Sequence, residues 1–173
     1  MGHRVVEKKL LFVDSRDRDP ADPNPFDFTI TFNSARWNIP SFMHVSDISV
    51  KAFCMPKVMG EDYVYLDLGP KLNTTVYASD ETVGDSILGV FYFDHGSMAT
   101  GAVKPMKGSD FTPKVSVFDP ILTEMDRLPI RVIKHGGVTV TKQDVATDPN
   151  ADLSGFEPSF SMLFEMTCMS RAL

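Results

Sequence analysis

The alternation of apolar and polar residues is the strongest pattern in this chain. Residues 26–32 alternate without a break, so three phenylalanines and Ile30 share one face. Residues 48–54 and 160–168 alternate in the same way, with Phe53 and Leu163 as exceptions. A period of two residues is typical of a β-strand that buries one face and leaves the other in water. The three runs therefore predict strands of an antiparallel sandwich.

Shorter runs of β-forming residues extend this series. They lie at 10–13, 63–68, 87–93, 115–118, 127–133 and 138–140. Pro129 has no backbone N–H, so it is expected at a sheet edge or at a gap in the hydrogen-bond ladder. The glycine pair in residues 134–137 predicts a hairpin turn. Residues 88–93 are apolar on both faces, which favours a central strand or a strand covered by another chain.

Helical signals are weak, and nothing divides the chain. The best helical segment is residues 119–125, where Asp119 precedes a proline in a typical helix-start pattern. The 173 residues contain no fixed-period repeat and no linker, so we expect a single all-β domain over residues 1–173. Residues 1–8 are expected to form a flexible N-terminal arm.

The charge balance disfavours several kinds of partner. Lys and Arg number 17 against 23 Asp and Glu, which gives a formal net charge of −6. Direct binding to nucleic acid relies on Lys and Arg displacing counterions, so it is not expected. No apolar stretch approaches the roughly 20 residues of a transmembrane helix, and no signal peptide is evident. Cys54 and Cys168 lie in alternating runs and are predicted to be free buried thiols in a reducing compartment.

Catalytic motifs are absent from the sequence. There is no Gly-x-Ser-x-Gly elbow, no phosphate-binding glycine loop and no Cys-x-x-Cys pair. An all-β domain can still gather metal ligands from separate strands, as cupin-type folds do. The candidates would be His44, Asp94, His95 and His135. Their spacing forms no metal motif, so the chain is predicted to have no catalytic residue, metal or cofactor, and not to be an enzyme.

The most unusual polar stretch is residues 14–19, in which acidic and basic residues alternate. Its charged members are Asp14, Arg16, Asp17, Arg18 and Asp19. Calcium-loop spacing is not met, and two arginines would repel the ion. Arginine binds carboxylates with two hydrogen bonds, so these residues are expected to pair locally and order the loop, or to pair with a neighbouring subunit. A solvated charged turn is the alternative. We take the five residues as a candidate subunit interface.

Several segments, in order, resemble small capsid proteins of large icosahedral double-stranded DNA viruses, such as those of algae and amoebae. The first is residues 11–19, a hydrophobic stretch leading into Asp-Ser-Arg-Asp-Arg, followed by Pro-Asn-Pro and a Phe-Thr-Ile strand. Later matches are 48–57, 62–68, 126–132 with the glycines at 136–137, and 160–166. This chain departs from the family pattern at Pro129 and at the Gly-Gly turn, where an acidic turn is commoner.

The resemblance implies a single jelly-roll β-sandwich of about eight antiparallel strands with at most one short helix. It also implies a structural virion protein, either the penton at five-fold vertices or another minor capsid protein. Such a protein would be assembled in the cytoplasm of the host cell and located in the virion capsid. Its partners would be the major and minor capsid proteins and further copies of itself, possibly as a pentamer. The family carries no catalytic residues, so none are assigned here.

Two other classes remain open on the residues alone. One is a cupin-like metal-dependent β-barrel enzyme that uses the histidines named above. The other is a carbohydrate-binding β-sandwich, which would present exposed Trp or Tyr on one face. Trp37, the single tryptophan, lies in an expected loop.

Overall fold

The computed structural model describes residues 4–32, 44–69, 87–93, 106–107, 126–146 and 152–171. Within these ranges the chain forms nine β-strands and two short 3₁₀ turns. The strands are β1 (Arg4–Asp14), β2 (Asp27–Thr31), β3 (His44–Cys54), β4 (Tyr63–Asp67), β5 (Ile87–Tyr92), β6 (Met106–Lys107), β7 (Arg127–Lys134), β8 (Val138–Thr139) and β9 (Ser161–Arg171). The 3₁₀ turns are Ser15–Asp17 and Gln143–Val145. The strand expected at 115–118 and the helix expected at 119–125 lie outside the described residues.

The strands form two antiparallel sheets, which confirms the predicted all-β class. The first sheet has the order β1-β9-β3-β6, and the second has the order β2-β7-β4-β5, with the short β8 paired to β7. Strands from the first part of the chain pair with strands from the second part in reverse order: β1 with β9, β2 with β7, β3 with β6 and β4 with β5. The strand pairs are therefore nested in sequence, and successive pairs alternate between the two sheets.

The core lies between the sheets and contains one face of each main strand. On β2, Phe28 and Ile30 are buried while Thr29 is exposed, as the alternation predicts. Phe53 of the first sheet packs on Phe91 of the second, with ring centroids 4.6 Å apart. Burial of large aromatic side chains on this scale is the main favourable contribution to folding.

The second of two register shifts in β3 explains why Phe53 breaks the alternation in the sequence. The pairing of β3 with β9 shifts between Val45 and Asp47, and again between Val50 and Ala52. Each extra residue reverses the side that later side chains face. Phe53 is therefore buried in the core, whereas the uninterrupted alternation would have placed Ala52 there.

Two other elements differ from the sequence-based expectation. Residues 4–8, expected within an N-terminal arm, belong to β1 and pair with β9 from Arg4 opposite Arg171 onward. An 11-residue partner strand gives their backbone groups hydrogen bonds that a free arm would lack. β5, expected to be either central or covered by another chain, is the last strand of the described second sheet and pairs with β4.

Pro129 is tolerated in a central strand because of where its nitrogen points. β7 lies between β2 and β4, so the edge position predicted for Pro129 is wrong. The N–H of Val132 donates to the carbonyl of Phe26 at 2.9 Å, so even-numbered residues of β7 are directed at β2. The nitrogen of Pro129 faces the β4 side, where the paired segment ends at Arg131. Pro129 thus occupies a gap in the ladder, the other predicted position.

The connections β1–β2, β3–β4 and β7–β9 meet at one end of the sandwich, called here the loop end. The N–H of Met59, between β3 and β4, donates to the carbonyl of Asp144 at 2.8 Å. The Asn24 side chain, between β1 and β2, donates to the carbonyl of Val140 at 2.9 Å. These bonds join three connections that are far apart in sequence. The candidate site residues lie at this end.

Candidate functional site: the charged loop network

Asp14 and Arg16 form a closed pair at the end of β1. The N–H of Arg16 donates to Asp14 Oδ1 at 2.9 Å, which caps the 3₁₀ turn. Arg16 Nε lies 2.9 and 3.1 Å from the two carboxylate oxygens, and the guanidinium also donates through Nη2. Asp14 is 8% exposed. Hydrogen bonding from Arg16 holds the pKa of Asp14 below its usual value, against the opposing effect of burial.

Arg18 reaches inward and across the loop end. Its guanidinium donates to the carbonyls of Ser15 at 3.0 Å and Asp22 at 2.9 Å. It also donates to Glu157 Oε2 at 3.2 Å, and Lys142 donates to the other oxygen of the same carboxylate. Hydrogen bonds from Lys142 and then Arg18 lower the pKa of Glu157. We call Asp14, Arg16, Arg18, Lys142 and Glu157 the charged loop network.

The remaining predicted residues have smaller roles. Asp19 accepts the N–H of Ala21 at 2.9 Å, which closes a turn before the prolines. Asp17 is exposed within the 3₁₀ turn. Of the five candidate residues, Asp14, Arg16 and Arg18 belong to the network, while Asp17 and Asp19 lie beside it. The network joins loops of this chain to each other, and the Arg16 side chain remains 70% exposed.

Ser15 is the central residue that sequence reasoning missed. Its side chain is fully buried and its Oγ accepts the N–H of Phe160 at 2.9 Å. Its own N–H donates to the carbonyl of Phe160, also at 2.9 Å. Serine flanked by charged residues is usually solvent-exposed. Only the position of Ser15 immediately after a strand signals that it extends the β1–β9 ladder by one pair.

A second ion pair orders the connection after β8. Lys134 Nζ lies 2.6 Å from Asp144 Oδ1, and the N–H and hydroxyl of Thr141 both donate to Oδ2 at 2.8 Å. Burial alone would raise the pKa of Asp144, but the bonds from Lys134 and Thr141 lower it overall. The start of this connection is therefore held by charge-assisted hydrogen bonds.

Three tyrosines cluster on the outer face of the second sheet. The ring of Tyr63 packs edge-on against Tyr65 at 5.4 Å and against Tyr92 at 5.9 Å. The Tyr63 hydroxyl lies 3.3 Å from Nδ1 of His135. Tyr92 is 56% exposed and Tyr65 is buried. We call Tyr63, Tyr65 and Tyr92 the tyrosine cluster.

The candidate metal ligands are only partly described. His135 contacts Tyr63, whereas Asp94, His95 and the side chain of His44 lie outside the described residues. Within the described ranges, no three His, Cys, Asp or Glu side chains are grouped as metal ligands. Cys54 and Cys168 are free thiols, and burial raises the pKa of both.

Comparisons with known proteins do not place the chain in a family. No family model matches it, and a search of curated proteins finds no significant match. In the described part of the chain, no helix has the length and apolar character to cross a membrane.

Proposed function

We propose that this chain is a structural capsid subunit, built as a single jelly roll, that serves as the penton or another minor protein of an icosahedral virion. The observation that carries the proposal is the nested strand pairing. When β8 is set aside as an extension of the β7 hairpin, eight strands pair first with last, second with second-last, and so on. Such pairing, split over two sheets, supports a jelly-roll topology, an architecture that is common in viral capsids.

The loop end supports the same proposal. Capsid subunits contact their neighbours through fixed surfaces, and the charged loop network joins two of the three connections at this end, β1–β2 and β7–β9, through the Arg18–Glu157 ion pair. The exposed edge of that network, Arg16 and Glu157, presents charges suited to a neighbouring subunit. The expected partners are major and minor capsid proteins and further copies of this chain. A ring of five copies would use heterologous contacts that close by rotation.

The test combines assembly with location. The purified full chain is examined by native mass spectrometry, and purified particles are probed with an antibody against the chain. We expect rings of the chain, or its binding to purified capsomers, and its presence in particles at a stoichiometry that fits vertices or facets. A chain that stays monomeric, binds no capsomer and is absent from particles would overturn the proposal.

A carbohydrate-binding sandwich is the second candidate, and the tyrosine cluster favours it. Tyr92 presents an exposed ring against the ring of Tyr63, whose hydroxyl lies 3.3 Å from Nδ1 of His135. Sugars bind to flat apolar surfaces bordered by polar groups. Glycan binding is measured for the wild-type chain and for Tyr92→Ala, with Trp37→Ala as a comparison. Binding lost only in Tyr92→Ala would support this function, and no binding by the wild-type chain would contradict it.

A further inference from the structure

The outer face of β1 carries the two most exposed large apolar side chains in the described part of the protein. Leu10 is 66% exposed and Phe12 is 59% exposed. They lie two residues apart on the same face of the strand. Leu163 of β9 lies directly opposite Phe12 and is half-buried, which widens the apolar strip across two strands. Adjacent exposed apolar side chains of this size mark an interaction surface.

The backbone of β1 is also directed away from its one described neighbour at these positions. Ser15 and Phe160 form a hydrogen-bonded pair in register with the β1–β9 ladder. Hydrogen-bonded pairs alternate in an antiparallel ladder, so odd-numbered residues of β1 face β9. The N–H and C=O groups of Lys8, Leu10 and Phe12 therefore point to the opposite side. No strand of the described chain lies on that side of β1.

An edge strand of this kind is usually protected by charge, and here the protection is weak. Proteins place lysine or proline on edges to prevent strand addition. On this face the Lys8 ammonium lies 3.2 Å from Glu165 of the adjacent strand, and the Asp14 carboxylate is bonded to Arg16. The apolar positions that follow, Leu10 and Phe12, have no charge between them on this face. The edge is thus suited to pairing.

We propose that β1 pairs antiparallel with β1 of a second copy of this chain, about a two-fold axis at Leu11. Only registers that place even-numbered residues opposite each other bring the outward backbone groups together. With Leu11 at the axis, Leu10 lies opposite the partner's Phe12, and Lys8 lies opposite the partner's Asp14. The first pair joins two apolar side chains, which is a favourable cross-strand pair. The second places the Lys8 ammonium beside an Asp14 carboxylate that Arg16 already binds.

The two neighbouring registers lack this complementarity. The register with Leu11 at the axis is therefore the one that suits a second copy of the chain. A register with the axis at Leu10 places Lys8 opposite the partner's Phe12. A register with the axis at Phe12 places Leu10 opposite the partner's Asp14, and so covers a carboxylate with an apolar side chain. The pairing extends the first sheet of one copy into the first sheet of the other.

This inference stands apart from the proposed capsid function. Pairing about a two-fold axis is isologous and joins two copies, whereas a five-fold ring needs a different, heterologous contact. Substitutions that disrupt the five-fold ring should therefore differ from those that disrupt the two-fold pairing of β1 with β1. This allows the two proposals to fail separately.

The first experiment measures the mass of the full chain by sedimentation over a concentration series. We expect the wild-type mass to rise from that of one chain, 19.2 kDa, toward twice that value. Phe12→Lys places a charge on the edge and is expected to abolish the rise, with an unchanged circular dichroism spectrum because the side chain is exposed. Val138→Lys, at another exposed apolar position, is the matched control and should associate like the wild type.

The second experiment tests the register by disulfide trapping in a Cys54→Ser background. Leu10→Cys and Phe12→Cys proteins are oxidised separately and as a mixture. Cross-linked dimers are expected to form at least several-fold faster in the mixture, because position 10 lies opposite position 12. Equal cross-linking of Leu10→Cys with itself would overturn the register.

Three results would overturn the pairing itself. One is a wild-type mass that stays at one copy throughout the series. Another is association of the Phe12→Lys variant that equals that of the wild-type chain. If the associated form is a five-fold ring, the capsid proposal still stands. The third is a wild-type chain that is monomeric in solution together with a Phe12→Lys variant that no longer enters particles. That result would mean that Leu10 and Phe12 contact another shell protein.

Discussion

Gly69, the second residue after β4, combines an unusual backbone conformation with a close neighbour. Its φ is +84°, and a Cβ atom on it would lie 2.5 Å from Cγ of Pro129. We expect Gly69→Ala to lower the free energy of unfolding by about 1–3 kcal/mol, since both the positive φ and the contact are unfavourable for alanine. Urea unfolding followed by circular dichroism measures the change.

Gly155 separates the two contributions to that effect. Its φ is +83°, but a Cβ atom there would have nothing within 4 Å. Gly155→Ala should therefore cost less than Gly69→Ala. In a Pro129→Ala background, the cost of Gly69→Ala should fall to the Gly155→Ala value. Equal costs at both glycines in the wild-type background would show that Pro129 does not restrict Gly69.

Asp14 links stability to pH through its pair with Arg16. Because its pKa is lowered on folding, the ionised carboxylate stabilises the protein at neutral pH, and this contribution is lost as pH falls through the lowered pKa. Asp14→Asn keeps an oxygen for the cap but removes the charge. It should reduce the free energy of unfolding by about 1 kcal/mol at pH 7.

The difference between the wild-type and Asp14→Asn proteins should shrink as the pH falls and the wild-type carboxyl becomes protonated. Denaturant titrations from pH 7 to pH 2 check this. Asp152→Asn is the comparison, since this fully exposed carboxyl has its pKa lowered by Ser154 and should give a smaller difference. A difference for Asp14→Asn that is the same at all pH values would rule out the charge as its cause.

At the scale of elements, Ser15 fixes the end of β1 to the start of β9. Ser15→Ala leaves the N–H of Phe160 without its acceptor in a buried position. The expected loss is about 1–3 kcal/mol in the free energy of unfolding, together with faster hydrogen exchange at that amide. Ser154→Ala is the control, because that hydroxyl bonds to an exposed carboxylate of Asp152. Unchanged exchange at Phe160 would contradict the role given to Ser15.

The strands that alternation predicts well are those without irregularities. β2, and β9 as far as Cys168, keep one phase, so their buried faces follow from periodicity alone. β3 contains two register shifts, and the break in the alternation at Phe53 indicates the second of them. β1 is longer than its apolar run because pairing with β9 extends it into the polar residues 7–9. Extent and phase there depend on a partner strand about 150 residues away.

The charged loop network also has one part that the sequence predicts and another that it does not. The Asp14–Arg16 pair joins residues two positions apart, and local pairing of this kind follows from their spacing. The bond from Arg18 to Glu157 spans 139 positions, so sequence proximity carries no signal for it. The burial of Ser15 is likewise set by its distant partner Phe160. Prediction from sequence identified the segment but not the residues to which it bonds.

At the scale of the whole molecule, nested pairing makes the contacts of this fold unusually distant in sequence. β1 pairs with β9, and β2 pairs with β7, about 100 residues further on. Closing such long loops costs conformational entropy before any contact compensates for it. Proteins dominated by distant strand pairs fold in roughly milliseconds to seconds. Slow, strand-limited folding is therefore expected for this chain.

A circular permutant tests whether the distance between paired strands limits folding. Arg4 and Arg171 are direct register partners, so a short glycine-serine linker can join the ends of β1 and β9, with new ends between Gly60 and Glu61. The change brings β1 and β9 together in sequence and shortens the separation of β2 from β7. We expect refolding at least several-fold faster in stopped-flow experiments, with the same sheets in the folded state. Refolding at the wild-type rate would mean that pairing of these distant strands does not limit folding, and that the rate-limiting contacts lie in the β4–β5 and β4–β7 pairs, which the permutation leaves unchanged.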